Sequence, residues 1–134
     1  MLLNGLSHEE KIAFWNIANV LAAVDGNISE EESILKQYSD EMGVDFKFID
    51  DPAAVDIKSE LDILKNDNLK NRKIVYFELF SVAYADTELH EKEQGILNEV
   101  CTSLELSDDV RATLESSVKT IFDTYRKLGE VLEG

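Results

Sequence analysis

"AAVDGNISEEE" runs from residue 22 to residue 32, and "AYADTELHEKE" runs from residue 83 to residue 93. The second stretch echoes the first at a shift of 61. Asp25 falls on Asp86, Ile28 on Leu89, Glu30 on Glu91 and Glu32 on Glu93. Each stretch follows a nearly apolar segment and opens an amphipathic one. From Ile12 to Val24 only Asn16 and Asn19 are polar, and from Ile74 to Ala85 only Glu78 and Ser81 are clearly so. Segments apolar all round suit central helices rather than surface ones. The repeat therefore predicts a duplicated helical hairpin, with each acidic stretch at its turn. Beyond the turn a shift of 62 fits better, pairing Ile34 with Ile96, Leu35 with Leu97 and Met42 with Leu104. That one-residue slip makes Glu31 a rival to Glu32 as the partner of Glu93.

Working outward, the helical period holds along the chain. Ser7 and Glu10 form a capping box for a first helix reaching about Val24. Ser29 and Glu32 form a second box for a helix carrying Ile34, Leu35, Tyr38 and Met42 on one face. Gly43 is placed to end it in the left-handed conformation. Residues 44–51 read as an irregular acidic link. Asp51 reads as an N-cap before Pro52, and the pattern resumes through Ile57, Leu61 and Leu64. Asn66-Asp67-Asn68 breaks it before the second central helix, from about Leu69 to Ala85. A helix from about His90 to Leu104 follows. Ser107 then caps a long last helix with Val110, Leu114, Val118, Ile121, Tyr125 and Leu128 along its apolar stripe. No strand signal competes. The expected fold class is all-α: one domain over 1–134, a compact bundle of about six to seven helices. Its pseudo-twofold halves are expected at about 8–43 and 69–106.

The 134 residues suffice to bury a core without cross-links. The single cysteine, Cys101, excludes an internal disulfide and a Cys-ligated zinc site; its apolar neighbours predict a buried, inert thiol. The net charge is −15, spread over both halves. Such a field repels nucleic acid and anionic lipid and favours cations or basic partners. The N-terminus has no basic segment leading an apolar run, so no secretion signal is read there. No stretch nears the ~18 apolar residues of a membrane span. A soluble, cytoplasmic protein is expected.

The turns look like the second half of a calcium loop. With Asp25 at position 5 of an EF-hand loop, Gly26 takes position 6, Ser29 position 9 and Glu32 position 12. Positions 1 and 3 are then Leu21 and Ala23, and Val82 and Tyr84 in the second copy, which cannot ligate as EF-hand residues do. Neither loop builds a cage alone. Together Asp25, Glu32, Asp86 and Glu93 offer four carboxylates to one hard divalent cation, calcium or magnesium, with Glu31 and Ser29 as further candidates. Turn chemistry and capping explain the first copy equally well. In the second copy His90 replaces Ser29 and Thr87 replaces Gly26, while Asp86 and Glu93 keep their spacing. A shared acidic site accounts for both copies.

"ANVLAAVDGNISEEE" (18–32) and "SVAYADTELHEKE" (81–93) resemble the two signature segments of the TerB-like family, the tellurite-resistance protein B group. The pattern is a small-residue helix ending in Ala-x-x-Asp-Gly, then an apolar residue, then a Glu. Thr87 departs from the second Asp-Gly. The resemblance covers the chain from the first helix through Leu106. It implies a compact fold of about seven helices, an acidic cluster proposed to bind divalent metal, and a bacterial cytoplasmic protein. The implied role is in tellurite or chemical-stress response, exercised through protein partners at the membrane, with no catalytic activity.

No catalytic set is legible in two histidines on helix starts and no phosphate-binding glycine loop. Leu69-Lys70-Asn71-Arg72-Lys73 reads as a small solvated basic patch. Asn16 with Asn19 and Glu78 with Ser81 read as narrow stripes facing solvent or the other half. Three function classes follow: a non-enzymatic metal-binding or signalling module, a metal-independent scaffold docking a basic partner, and a metal-assisted hydrolase. The last needs an open coordination position and a base, and neither is marked.

Overall fold

The computed structural model describes residues 2–24, 29–43, 46, 51–85 and 89–134, and the side chains of all these except residues 2 and 29–32. Among them are six α-helices and no strand: α1 (His8–Ala23), α2 (Ser29–Met42), α3 (Ile57–Leu64), α4 (Leu69–Ala83), α5 (Glu91–Ser103) and α6 (Asp108–Glu133). Single 3-10 turns lie at Leu2–Gly5 and Pro52–Ala54. None of these helices is long and apolar enough to cross a membrane.

The helices start where side chains satisfy their free N–H groups. The Glu10 N–H donates to Ser7 Oγ at 3.1 Å, and the Ser7 N–H donates to Glu10 Oε1 at 2.9 Å. That is the reciprocal box expected from the sequence. Asn68 accepts the Asn71 N–H at 2.8 Å, and Ser107 accepts the Val110 N–H at 3.2 Å. Asp51 departs from expectation. It makes no capping bond, and Pro52 opens only one 3-10 turn. The cap of α3 is Asp56, whose Oδ1 accepts the Ser59 N–H at 3.4 Å and whose Oδ2 accepts the Ser59 hydroxyl at 2.8 Å. Val55 is extended at ψ 128°, so the chain must start a second helix rather than lengthen the first.

The core is built around α1 and α4, which pack on each other. Helix α1 also packs against α2 and α3, and α4 against α5 and α6. Phe14, Ile17, Leu21, Tyr76, Leu79 and Phe80 are among the fully buried side chains. Phe14 meets Tyr38 of α2 edge to face at 5.4 Å, and Trp15 stacks on Phe46 at 5.0 Å. An aromatic ladder runs from Tyr76 through Phe80 and Tyr84 to Phe122, joining α4 to α6. The Lys119 ammonium sits over the Phe80 and Tyr84 rings at 6.0 and 5.9 Å.

Burial repeats along the two hairpins at a shift of 62. Ala13, Phe14, Ile17 and Leu21 are buried, as are Val75, Tyr76, Leu79 and Ala83. Leu35, Tyr38, Ser39 and Met42 are buried, as are Leu97, Val100, Cys101 and Leu104. Along α1 and α4 a shift of 61 pairs as many buried positions, Phe14 with Val75, Trp15 with Tyr76 and Leu21 with Val82 among them, so it is α2 and α5 that fix the shift of 62. Both second helices also stop alike. Gly43 has φ +69° and Glu105, 62 residues on, has φ +55°. After α5 the Leu106 N–H returns to the Cys101 carbonyl at 3.1 Å, which makes a Schellman stop.

Of the two places open to the polar stripes, solvent is excluded for Asn19 and Ser81: both are buried and return a hydrogen bond to their own helix, Asn19 Nδ2 to the Trp15 carbonyl and Ser81 Oγ to that of Phe77. Arg72 is not solvated either. Its Nη1 donates to the Leu104 carbonyl at 2.6 Å and its Nε to that of Asp67 at 3.1 Å, tying α4 to the end of α5. The stripe of α6 is covered only in part. Val118 is buried, but Ile121, Tyr125 and Leu128 are exposed at 44%, 69% and 49%.

Candidate functional site

The acidic turns join α1 to α2 and α4 to α5. Helix α1 ends at Ala23 with Val24 still in helical geometry, and α4 ends at Ala83 with Tyr84 as its C-cap. Asp25 and Asp86 lie outside the described residues, as do the side chains of Ser29, Glu31 and Glu32. Ser29, Glu31 and Glu32 stand in the first turn of α2, and Glu93 in the first turn of α5. At the shift of 62 that burial along α2 and α5 obeys, Glu31 rather than Glu32 takes the place of Glu93.

Glu93 is the one candidate ligand whose side chain is described. It is completely buried, while Glu91, two residues before it, is exposed. His90 is the N-cap with extended backbone, φ −85° and ψ 155°. The His90 N–H donates to Glu93 Oε1 at 3.1 Å. The helix N-terminus also favours a negative charge in this turn. Capping by Glu93 therefore operates in the second copy too, with the His90 side chain in place of a Ser hydroxyl opposite the Glu93 N–H. That revises the sequence argument, which gave capping the first copy alone. His90 itself is half-buried rather than exposed.

Among the described residues, no three His, Cys, Asp or Glu side chains gather closely enough to hold a metal ion. Cys101 is buried, its Sγ lies 3.6 Å from the Leu106 carbonyl, and burial pushes its thiol up. An inert thiol results.

Two carboxylate arrangements were not legible in the sequence. Glu10 and Asp67 share a hydrogen bond between the heads of α1 and α4; burial and that bond push Glu10 up. For Asp67, burial works against ionisation but is outweighed by hydrogen bonds from Glu10, Asn71 and the Asn68 N–H, so it is held low. The second lies between α2 and α4. Tyr38 donates its hydroxyl to the Glu78 carbonyl at 3.2 Å. Burial, with the charge of Glu41 adding to it, pushes the Glu78 carboxyl above its usual range. The only signal in the sequence was Glu78 interrupting an apolar helix. On α6, Arg111 Nε donates to Glu115 Oε2 at 2.8 Å and Tyr76 donates its hydroxyl to the same oxygen. The Arg111 guanidinium lies 5.7 Å from the Tyr76 ring centre, so this cluster pins α6 to α4.

The chain matches the model of the family described as tellurite resistance protein TerB over residues 46–116, more than half its length. The second acidic turn lies inside that span and the first lies before it. Neither a curated protein nor a solved structure matches it significantly. With six helices and no strand among its described residues and a family match over most of α3 to α6, the chain belongs to the TerB tellurite-resistance family.

Proposed function

We propose that this chain is a non-enzymatic, acidic helical module of the tellurite-resistance type. It binds a divalent cation, calcium or magnesium, between its two acidic turns. It serves a bacterial tellurite or chemical-stress response from the cytoplasm, through a protein partner with a basic surface, one associated with the membrane. The ligands are Asp25, Asp86 and Glu93 with Glu31 or Glu32, and Ser29 beside them. The repeated burial pattern favours Glu31. The two hairpins that carry the turns are related by an approximate twofold rotation in this reading.

The observation that carries the cation is Glu93. A carboxylate taken fully out of water is costly unless its charge is compensated. The His90 N–H and the head of α5 supply compensation, and a cation at the turn adds to it. Carboxylate oxygens are the donors that calcium and magnesium prefer. A metal-independent scaffold is the second reading, favoured by the His90–Glu93 bond, because capping alone gives Glu93 a reason to be there. Neither reading assigns a reaction.

Thermal unfolding with calcium, magnesium and manganese separates the two. At a hundredfold excess over its dissociation constant, calcium adds ~2.7 kcal/mol, a melting shift on the order of ten degrees for a chain this size. Glu93→Gln keeps an oxygen for the His90 N–H but loses the charge, so it abolishes the shift. Melting curves that all three cations leave in place would retire the cation and keep the scaffold.

A further inference from the structure

Helices α2, α4 and α6 enclose an open groove of about 370 Å³. Its apolar wall is Ile34, Tyr38, Phe77, Val118, Ile121 and Phe122. The groove runs out onto the uncovered stripe of α6. From Val118 through Ile121 and Tyr125 to Leu128 the spacing is that of one helix face, about 15 Å long at 1.5 Å per residue. Large apolar side chains left exposed along one face mark an interaction surface rather than a solvated one.

The charge around the groove selects the occupant. Glu41 and Glu78 line it, with Gln37 and Ser81, and among the described residues no Lys or Arg does so. Glu78 is partly buried against Tyr38, and the charge of Glu41 beside it works against its ionisation. A cation brought to this edge relieves that repulsion. A second copy of the chain, at net −15, brings more negative charge.

We infer that the α2–α4–α6 groove docks an amphipathic helix of a partner protein, whose apolar stripe fills the groove and the face of α6 and whose Lys or Arg residues meet Glu41 and Glu78. Recognition of this kind uses apolar anchors at i, i+3, i+4 and i+7 on the incoming helix. It rests on the reading of the chain as a partner-binding module and is independent of whether the acidic turns hold a cation.

The test uses the full chain in EDTA and a labelled synthetic helix with a leucine stripe edged by lysines. Its controls are the same peptide edged by glutamates and a proline-broken version. The lysine peptide binds, the controls do not, and methyl signals of Ile34 and Ile121 shift. Ile121→Asp weakens binding about tenfold or more, equivalent to ~1.4 kcal/mol, and Glu41→Lys weakens it and flattens its salt dependence. Ile121 is exposed, so unchanged melting temperatures show that both variants fold. Salt-sensitive binding that Ile121→Asp leaves intact, with shifts elsewhere, overturns the groove but keeps the basic-partner reading. Failure of the lysine peptide to bind anywhere overturns both. A concentration-dependent dimer of the chain alone, lost in Ile121→Asp, overturns the partner helix in favour of a second copy.

Discussion

The hairpin α1–α2 and the hairpin α4–α5 bury corresponding positions and are finished differently. At Asn16 and Asn19 the first carries amides, and Asn19 turns back on its own helix. At the corresponding Glu78 and Ser81 the second carries a carboxylate at the edge of a groove. The first is closed by Phe46 and α3, while the second is covered by α6, whose far half leaves its stripe in solvent. Matching burial thus coexists with a different surface, because helix packing constrains buried positions far more than it constrains the rim. Divergence at the rim is where a binding role belongs.

The largest effect tests whether the two hairpins are one cooperative unit. Phe14 and Phe80 are both fully buried. Truncating either to alanine removes apolar contact and leaves a cavity, at a cost of about 3–5 kcal/mol. Urea denaturation followed by circular dichroism and by Trp15 fluorescence gives coincident transitions for Phe14→Ala and Phe80→Ala alike if α1 and α4 share a core. A Phe14→Ala protein that loses its Trp15 signal while half its helix persists would break the comparison into two independent halves.

The next effect sharpens the register. Of the ~2.7 kcal/mol expected from excess calcium, Glu31→Gln abolishes what Glu93→Gln abolishes, and Glu32→Gln leaves most of it. The reverse result returns the site to the shift of 61 and makes the turns, not the helices, the unit that was copied.

The helices were legible because their signals are local. Ser7-x-x-Glu10, Asn68 and Ser107 mark starts by hydrogen bonds made within three residues, and Gly43 marks a stop by its own backbone. Periodicity placed Leu35, Met42, Leu97 and Leu104 in the core. Other features depend on what arrives from elsewhere in the chain. Asp51-Pro52 looks like a helix start but ends after one turn, because Val55 is extended. Arg72 looks solvated until the end of α5 offers the Leu104 carbonyl. The α6 stripe looks buried because a period reports one face, not a partner for it. In the candidate site, spacing singled out Glu93 as a candidate ligand but could not show that it caps α5, since no Ser or Thr announces the cap.

A smaller effect compares the two left-handed stops. Gly43 adopts φ +69° with no steric cost, and a Cβ there meets nothing within 4 Å. Gly43→Ala therefore costs only the backbone strain, about 1–2 kcal/mol. Glu105 already bears that strain at φ +55°, so Glu105→Gly stabilises. The gain is under about 1 kcal/mol, because the glycine also loosens the unfolded chain. Opposite signs in paired urea midpoints establish that the two stops are equivalent; equal signs would mean that Glu105 is held by contacts its strain conceals.

The last effect is a slope rather than a step, and it belongs to the second hairpin alone. Burial, with the charge of Glu41 beside it, raises the Glu78 carboxyl above 4.5. Between 4.5 and its higher folded value, the native chain holds a proton at Glu78 that the unfolded chain has lost. Stability from this group is present below 4.5 and is lost as pH rises through the folded value. Asp56 and Asp67 are held low and so act in the opposite sense, which is why only a difference curve isolates Glu78. Glu78→Gln should be more stable than wild type at neutral pH, with the gap closing as the pH falls toward 4.5. Asn16→Asp, which places a carboxyl at the corresponding half-buried position of α1, should open a gap of the opposite sign at neutral pH. A Glu78→Gln protein no more stable than wild type at pH 7 would mean that the carboxylate is comfortable at the groove edge, and the repulsion that selects a basic helix there would be lost with it.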